Sequence, residues 1–204
     1  MRDLAEILRE SSRRHKHLCP RQVLGARMSL FAGEQLGLEL PRTDKRLLVI
    51  AETDGCTVDG IIAATGCHIG GRTLGILDFG KVAATFTDVY TETSIRVSPS
   101  CQSRALAFEY TSRARSRWEA MLLGYQEIAA EDLFNFQLVC LNTPLAEIIS
   151  KPNLKTVCEF CGEEIINGRE VLREDLILCR ACAGERYYEL KTDSRLCIPE
   201  KVDY

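Results

Sequence analysis

An α+β core of mixed helices packed on an antiparallel sheet, followed by a small metal-dependent finger, is the fold class that three observations predict. Helical patterning opens the chain and returns after Gln102. Between Arg46 and Val97 lie short segments rich in Val, Ile, Thr and Tyr, with Gly80 and Glu92 near the turns. Two Cys-x-x-Cys pairs stand near the C-terminus.

The elements follow in order. Residues 2–14 carry Leu4, Ile7 and Leu8 on one helical face, and Pro20 suits the first turn of a second helix running to about Leu38. Arg46–Thr53 reads as a strand around the apolar run Leu47-Leu48-Val49-Ile50. Cys56–Thr65 reads as a helix between Gly55 and Gly66. Thr73–Asp78, Ala83–Tyr90 and Thr93–Val97 are expected to continue as an antiparallel meander. Helix is predicted over Gln102–Ala129, then over Glu131–Val139 and Leu145–Ile149. Lys151-Pro152-Asn153-Leu154 reads as a linker, which sets domains at 1–150 and 151–204.

In the finger, Cys158-Glu-Phe-Cys161 and Cys179-Arg-Ala-Cys182 are separated by 17 residues. Each pair can grip one ion from two thiolates on a tight turn, and the intervening loop is long enough for the second pair to complete a tetrahedral sphere. Gly162 follows the first knuckle, where positive φ is often needed. Glu170–Leu178 reads as a short hairpin arm and Cys182–Leu190 as a helix start, so knuckle, hairpin, knuckle and helix resemble a treble-clef-like zinc finger. A structural zinc is the cofactor expected there. Two disulfides or four unrelated thiols are the alternative.

The whole chain limits the function classes. A chain of 204 residues can hold one core of roughly 150 residues plus a module too small to fold on apolar burial alone. Net charge is −3, and residues 151–204 carry nine Lys/Arg against eleven Asp/Glu, a balance that disfavours nucleic acid as the finger's partner and leaves a protein partner as the expectation. No apolar stretch approaches the roughly 20 residues needed to span a bilayer, and the N-terminus lacks an apolar export signal, so no membrane association and a cytoplasmic location are expected. Ten cysteines without an export signal read as metal ligands and reduced thiols.

A second constellation lies in His15-Lys16-His17-Leu18-Cys19-Pro20, just ahead of a helix start. A helix N-terminus and neighbouring cations favour a thiolate, which helps both a nucleophile and a metal ligand. Cys56 has the same placement on its own helix, and Cys67-His68 lies past that helix's end. A second metal in the core, with three protein ligands and one open position, is one reading. In the other, Cys56 and Cys67 are small buried residues and His15 and His17 decorate a basic loop.

These segments also resemble a known family. His15-Lys16-His17-Leu18-Cys19-Pro20 with Leu24-Gly25-Ala26-Arg27-Met28 is similar to the opening His-Gly-His-x-Cys-Pro-Gly signature of the formylmethanofuran dehydrogenase FmdE family. Cys56-Thr57-Val58-Asp59-Gly60-Ile61, Thr65-Gly66-Cys67-His68-Ile69-Gly70 and Asp78-Phe79-Gly80-Lys81 resemble its later segments in order and spacing. The resemblance covers about residues 10–145. It implies an α+β core that forms intertwined homodimers, an optional zinc-finger extension, and a site at His17, Cys19 and Cys56 with His15, Cys67, Asp59 and Lys81 as neighbours. Lys16 and Arg21 stand where the motif has glycine, and Gly71-Arg72 where a Gly-Lys-Gly turn is common; these basic replacements near the mouth favour an anionic ligand. Nothing resembles a pterin-binding chain.

Other chemistries find little support. Ser112–Trp118 is basic with an adjacent aromatic, and reads as a solvated helix face. Gly66–Gly75 lacks a phosphate-loop ending, and no Gly-x-Ser-x-Gly elbow is present. Glu163-Glu164 and Glu174-Asp175 read as solvating charge. The sequence therefore predicts a metal-binding protein whose core site senses, carries or uses a metal and whose finger contacts another macromolecule. A metal-dependent enzyme using His17, Cys19 and Cys56 is the alternative, and a transcriptional regulator acting through the finger is the second.

Overall fold

The computed structural model describes residues 3–13, 15, 17–111, 114–149, 151 and 153–189. The chain divides into two compact units, Met1–Ile148 and Ile149–Tyr204.

In the first unit, α1 (Leu4–Arg13) buries Ile7, Leu8 and Ser11, the face its apolar spacing predicts. Helix α2 (Pro20–Leu36) starts with Pro20 in its first turn and ends at Gly37, whose φ of 64° is open to glycine at no steric cost. Fully buried Gln22 fastens its start: its Oε1 accepts the Cys19 N–H at 2.8 Å, and its Nε2 donates to the Ser11 carbonyl at 3.1 Å. The end of α1 is thereby tied to the residue that opens α2.

Strand β1 (Leu47–Ala51), helix α3 (Thr57–Thr65) and strand β2 (Leu74–Ile76) form a crossover unit, with Val49 opposite Leu74 and Ala51 opposite Ile76 in parallel register. Strands β3 (Ala84–Asp88) and β4 (Thr93–Pro99) form a hairpin turning at Glu92, and β3 runs antiparallel to β1. Helices α4 (Ser103–Tyr110) and α5 (Arg117–Glu127) follow, then the single turn α6 (Ala130–Leu133), strand β5 (Phe134–Val139) and the short α7 (Leu145–Ile148). Sheet order is β2-β1-β3-β4-β5. Phe86, Val49, Val97, Ile61, Met28 and Val23 are fully buried in one core formed by sheet and helices.

In this unit the structure corrects the sheet and one helix. The sheet is not a pure antiparallel meander, because a strand that returns through a helix can re-enter beside its predecessor in the parallel sense, as β2 does. Glu131–Val139 is not one helix, since only its first residues belong to α6: Phe134, Phe136 and Leu138 alternate with Asn135 and Gln137, and this period of two pairs them with Pro99, Val97 and Ile95 of β4.

In the second unit, β6 (Lys155–Val157) and β7 (Glu164–Ile166) flank the first knuckle, and β8 (Val171–Arg173) and β9 (Leu176–Leu178) form the expected hairpin. Glu174 and Asp175 both have positive φ, 47° and 66°, the geometry of a two-residue hairpin turn whose twist matches its strands. The helix expected from Cys182 is absent among the described residues to Glu189. The backbone turns away at Gly184, whose φ is 104°. Residues 190–204, including Cys197, lie outside the described residues, as do Lys16, Ser112, Arg113 and Pro152. No helix among the described residues is long and apolar enough to cross a membrane.

Candidate functional site

The four finger cysteines converge, with their Sγ atoms all within 4.8 Å of one another. Cys161 and Cys179 are 3.9 Å apart, close to the separation of about 3.8 Å that two thiolates on one tetrahedral zinc would have. Backbone amides aim at the sulfurs: Cys179 N–H donates to Cys158 Sγ at 3.2 Å and Cys182 N–H to Cys179 Sγ at 3.4 Å. Gly162, with a φ of 75°, closes the first knuckle by donating to the Cys158 carbonyl at 2.9 Å.

Electrostatics fit an ion-binding cage. Burial raises the Cys158 thiol, but backbone hydrogen bonds from Cys161, Cys179 and Phe160 outweigh it and bring the pKa down to about 6. Cys161 is pushed up to about 12, first by burial and then by the neighbouring thiols. Four sulfurs this close cannot all ionise without a cation between them, and a bound ion removes that conflict. The donor set is a metal-binding group that can hold an ion such as zinc. Among the described residues it is the one cluster in which three or more His, Cys, Asp or Glu ligand atoms come this close.

The core candidates separate into two groups. Cys19 and Cys56 immediately precede α2 and α3, and the two helices cross almost backbone to backbone. A Cβ added at Gly25 would lie 2.1 Å from the Thr57 carbonyl oxygen, and one at Gly60 would lie 2.1 Å from that of Gln22. This crossing brings the two helix starts together and sets the Cys56 thiol against Cys19. Burial raises the Cys19 pKa, the amides of Gln22 and Arg21 lower it, and the facing Cys56 thiol raises it further.

His15 reaches the same region, its Nε2 lying 3.3 Å from Oδ2 of Asp59 in the first turn of α3, and its ring meets the exposed His17 edge-on at 5.9 Å between centroids. His15, His17, Cys19, Cys56 and Asp59 are thus neighbours, without three ligand atoms converging on one point.

Cys67 is elsewhere. Helix α3 separates it from Cys56 by roughly 14 Å of helix length, and its thiol, 1% exposed, donates to the Leu47 carbonyl at 3.4 Å. Burial pushes its pKa up. Lys81 is exposed, on a loop pinned by Glu52, whose carbonyl accepts the amides of Phe79 and Lys81 at 3.0 Å each. Buried Glu52 is in turn held by a bidentate pair from Arg96 at 2.6 and 2.7 Å. That loop presents Gly80 to the site.

Cys19 and Cys56 line one wall of an open cavity of about 770 Å³. Its other walls come from Arg21 and Leu24 on α2, Val82 and Gly80, the Pro99–Cys101 turn, and Arg104, Trp118, Met121 and Tyr125 on α4 and α5. Trp118, 46% exposed on a largely solvated stretch, thus also lines the cavity. The sequence held no local signal for the α4–α5 wall; only the sheet order, which carries the chain from β4 back over α2, assembles it.

Comparison with known proteins agrees with this architecture. Residues 14–135 match the family described as "FmdE, Molybdenum formylmethanofuran dehydrogenase operon". The chain belongs to the FmdE family, and it carries a C-terminal four-cysteine metal-binding group beyond the matched region. A tungsten formylmethanofuran dehydrogenase FmdE-like protein from Syntrophus aciditrophicus has the same fold, with a TM-score of 0.59 and 20% identity over 91% of this chain and 95% of that one. A protein of Archaeoglobus fulgidus named "Probable S-adenosyl-L-methionine-binding protein" is 29% identical over 90% of this chain. This chain spans 54% of that protein's length.

Proposed function

We propose that this protein binds two metal ions of different kind: a structural zinc in the finger and an exchangeable soft divalent ion in the core, held by Cys19 and Cys56 with His17 as the third ligand. The carrying observation is the placement of Cys19 and Cys56, from two separate helix starts, side by side on the wall of one open cavity. Thiolate and imidazole donors select borderline and soft ions. His17 is exposed two residues before Cys19, and its ring meets that of His15, which is held by Asp59. An ion there would keep one position facing the cavity, which is the arrangement of a sensing, carrying or catalytic site.

Metal content separates the two sites. Purified protein is expected to carry zinc in the finger and to bind one further equivalent of zinc or cobalt. A Cys19→Ser/Cys56→Ser variant is expected to lose that second equivalent and the thiolate-to-cobalt absorption of the core. Unchanged stoichiometry in this variant would sink the core-site reading.

The finger's part in this reading is contact with another protein. Phe160, Leu172 and Leu176 are exposed apolar residues on its knuckle and hairpin, and its acidic balance disfavours phosphate backbones. A homodimer built on the core belongs to the same proposal, and sedimentation of the full chain tests it. S-adenosylmethionine binding does not enter the proposal, since nearly half of the Archaeoglobus protein lies outside the matched length.

A further inference from the structure

We propose that the core cavity takes an organic anion carrying a planar ring, with the ring against Trp118 and Met121 and the anionic end between Arg21 and Arg104. The two halves of the cavity differ in chemistry. Trp118 and Met121, one helical turn apart on α5, present an aromatic face and a polarizable thioether. Arg21 and Arg104 line the same space from α2 and α4. Among the described residues no carboxylate lines this cavity, so no acidic group of that lining offsets either cation.

The arginine side is backed by a buried tyrosine. Tyr125 is 3% exposed and lines the cavity beside Ser103 and Arg104, with its hydroxyl close enough to both to feel them. Ser100 and Ser103 add hydroxyls to the same wall. A volume of about 770 Å³ is within the ordinary range for small-molecule sites and exceeds what an inorganic ion would need. Cys19 and Cys56 form the remaining wall, so an ion on them would meet the anion, but recognition belongs to Trp118 and the arginines and does not depend on that ion.

Trp118 is the single tryptophan of the chain and reports directly on occupancy. Full-length protein is titrated with AMP and, separately, with benzoate, excited at the red edge of tryptophan absorption, with inorganic phosphate and neutral adenosine as probes lacking the ring or the charge. Saturable change with AMP, benzoate or both, at least tenfold tighter than with phosphate or adenosine, is the expected result, and the preferred probe tells phosphate-bearing from carboxylate-bearing ligands. Arg21→Gln and Arg104→Gln are expected each to weaken binding about tenfold with an unchanged melting curve. Repeating the titration with Cys19→Ser/Cys56→Ser separates this site from the proposed metal: binding should persist there even if metal uptake is lost. Equal affinity for adenosine and AMP, arginine variants that bind like the parent, or no saturable change with either ring-bearing anion would overturn the proposal.

Discussion

Gly25 and Gly60 face each other across the α2–α3 crossing, each so close to the opposite backbone that a single methyl group would fall 2.1 Å from a carbonyl oxygen. Contact this near carries two helix starts, and with them Cys19 and Cys56, to one point.

Replacing either glycine by alanine must therefore move a helix rather than a side chain. Gly60→Ala is expected to cost about 2–4 kcal/mol, in the range of overpacked cores and above the typical mutational loss, since rigid backbone is what the methyl would strike. Chemical denaturation measures it. A loss below about 0.5 kcal/mol would mean the helices can part freely, and the convergence of the two cysteines would lose its structural basis.

Metal removal should act on the two units differently. Without an ion the finger has short two-stranded pieces and little apolar interior, whereas the first unit has its own core. Cys158→Ser/Cys161→Ser is expected to abolish amide dispersion in residues 153–189 while the resonances of Val49, Phe86 and Val97 stay in place. A variant spectrum that keeps the finger's dispersion would refute a structural role for the ion.

Acid stability should carry the mark of Asp88. Its carboxylate is buried, and a bidentate pair from Arg46 at 2.9 and 2.7 Å, set against the cost of burial, lowers its pKa to about 2. The folded value lies below the unfolded one of about 3.9, so the stabilisation is complete above pH 4 and is lost as pH falls towards 2. Because Arg46 is partly solvated, about 1–2 kcal/mol is expected. Asp88→Asn should flatten the pH dependence of stability between pH 4 and 2 while lowering stability at neutral pH. The same slope in parent and variant would assign the acid sensitivity to other groups.

Thiol reactivity should rank by burial. Cys101 and Cys140 are exposed, and Cys67 is enclosed with its pKa raised. Iodoacetamide at pH 7.5 is expected to label Cys101 and Cys140 within minutes and Cys67 only on global unfolding, read by peptide mass spectrometry. Early labelling of Cys67 would place it outside the core.

Where sequence sufficed, local chemistry decided the outcome. Pro20, Gly37 and Gly66 bound their helices near the predicted ends, and the spacing of Cys158, Cys161, Cys179 and Cys182 specifies a cage because ligand geometry is short-range. Phe134–Val139 carried a legible alternation that acidic, helix-compatible residues just before it obscured. Trp118 and Arg104 were not legible as cavity residues, since their meeting with Cys19 and Cys56 depends on how α4 and α5 pack back on α2. Gly25 and Gly60 were visible, but each has meaning only through the other.

The β1–α3–β2 crossover has a kinetic implication. Cys56 opens the connecting helix itself, and Cys19 lies on the far side of β1 in sequence. Their encounter needs α2 and α3 to cross and the chain between them, β1 included, to close, so it belongs among the non-local steps of folding. A nascent chain would have its thiols apart until that late docking, and any chemistry that needs both would switch on only with the finished topology.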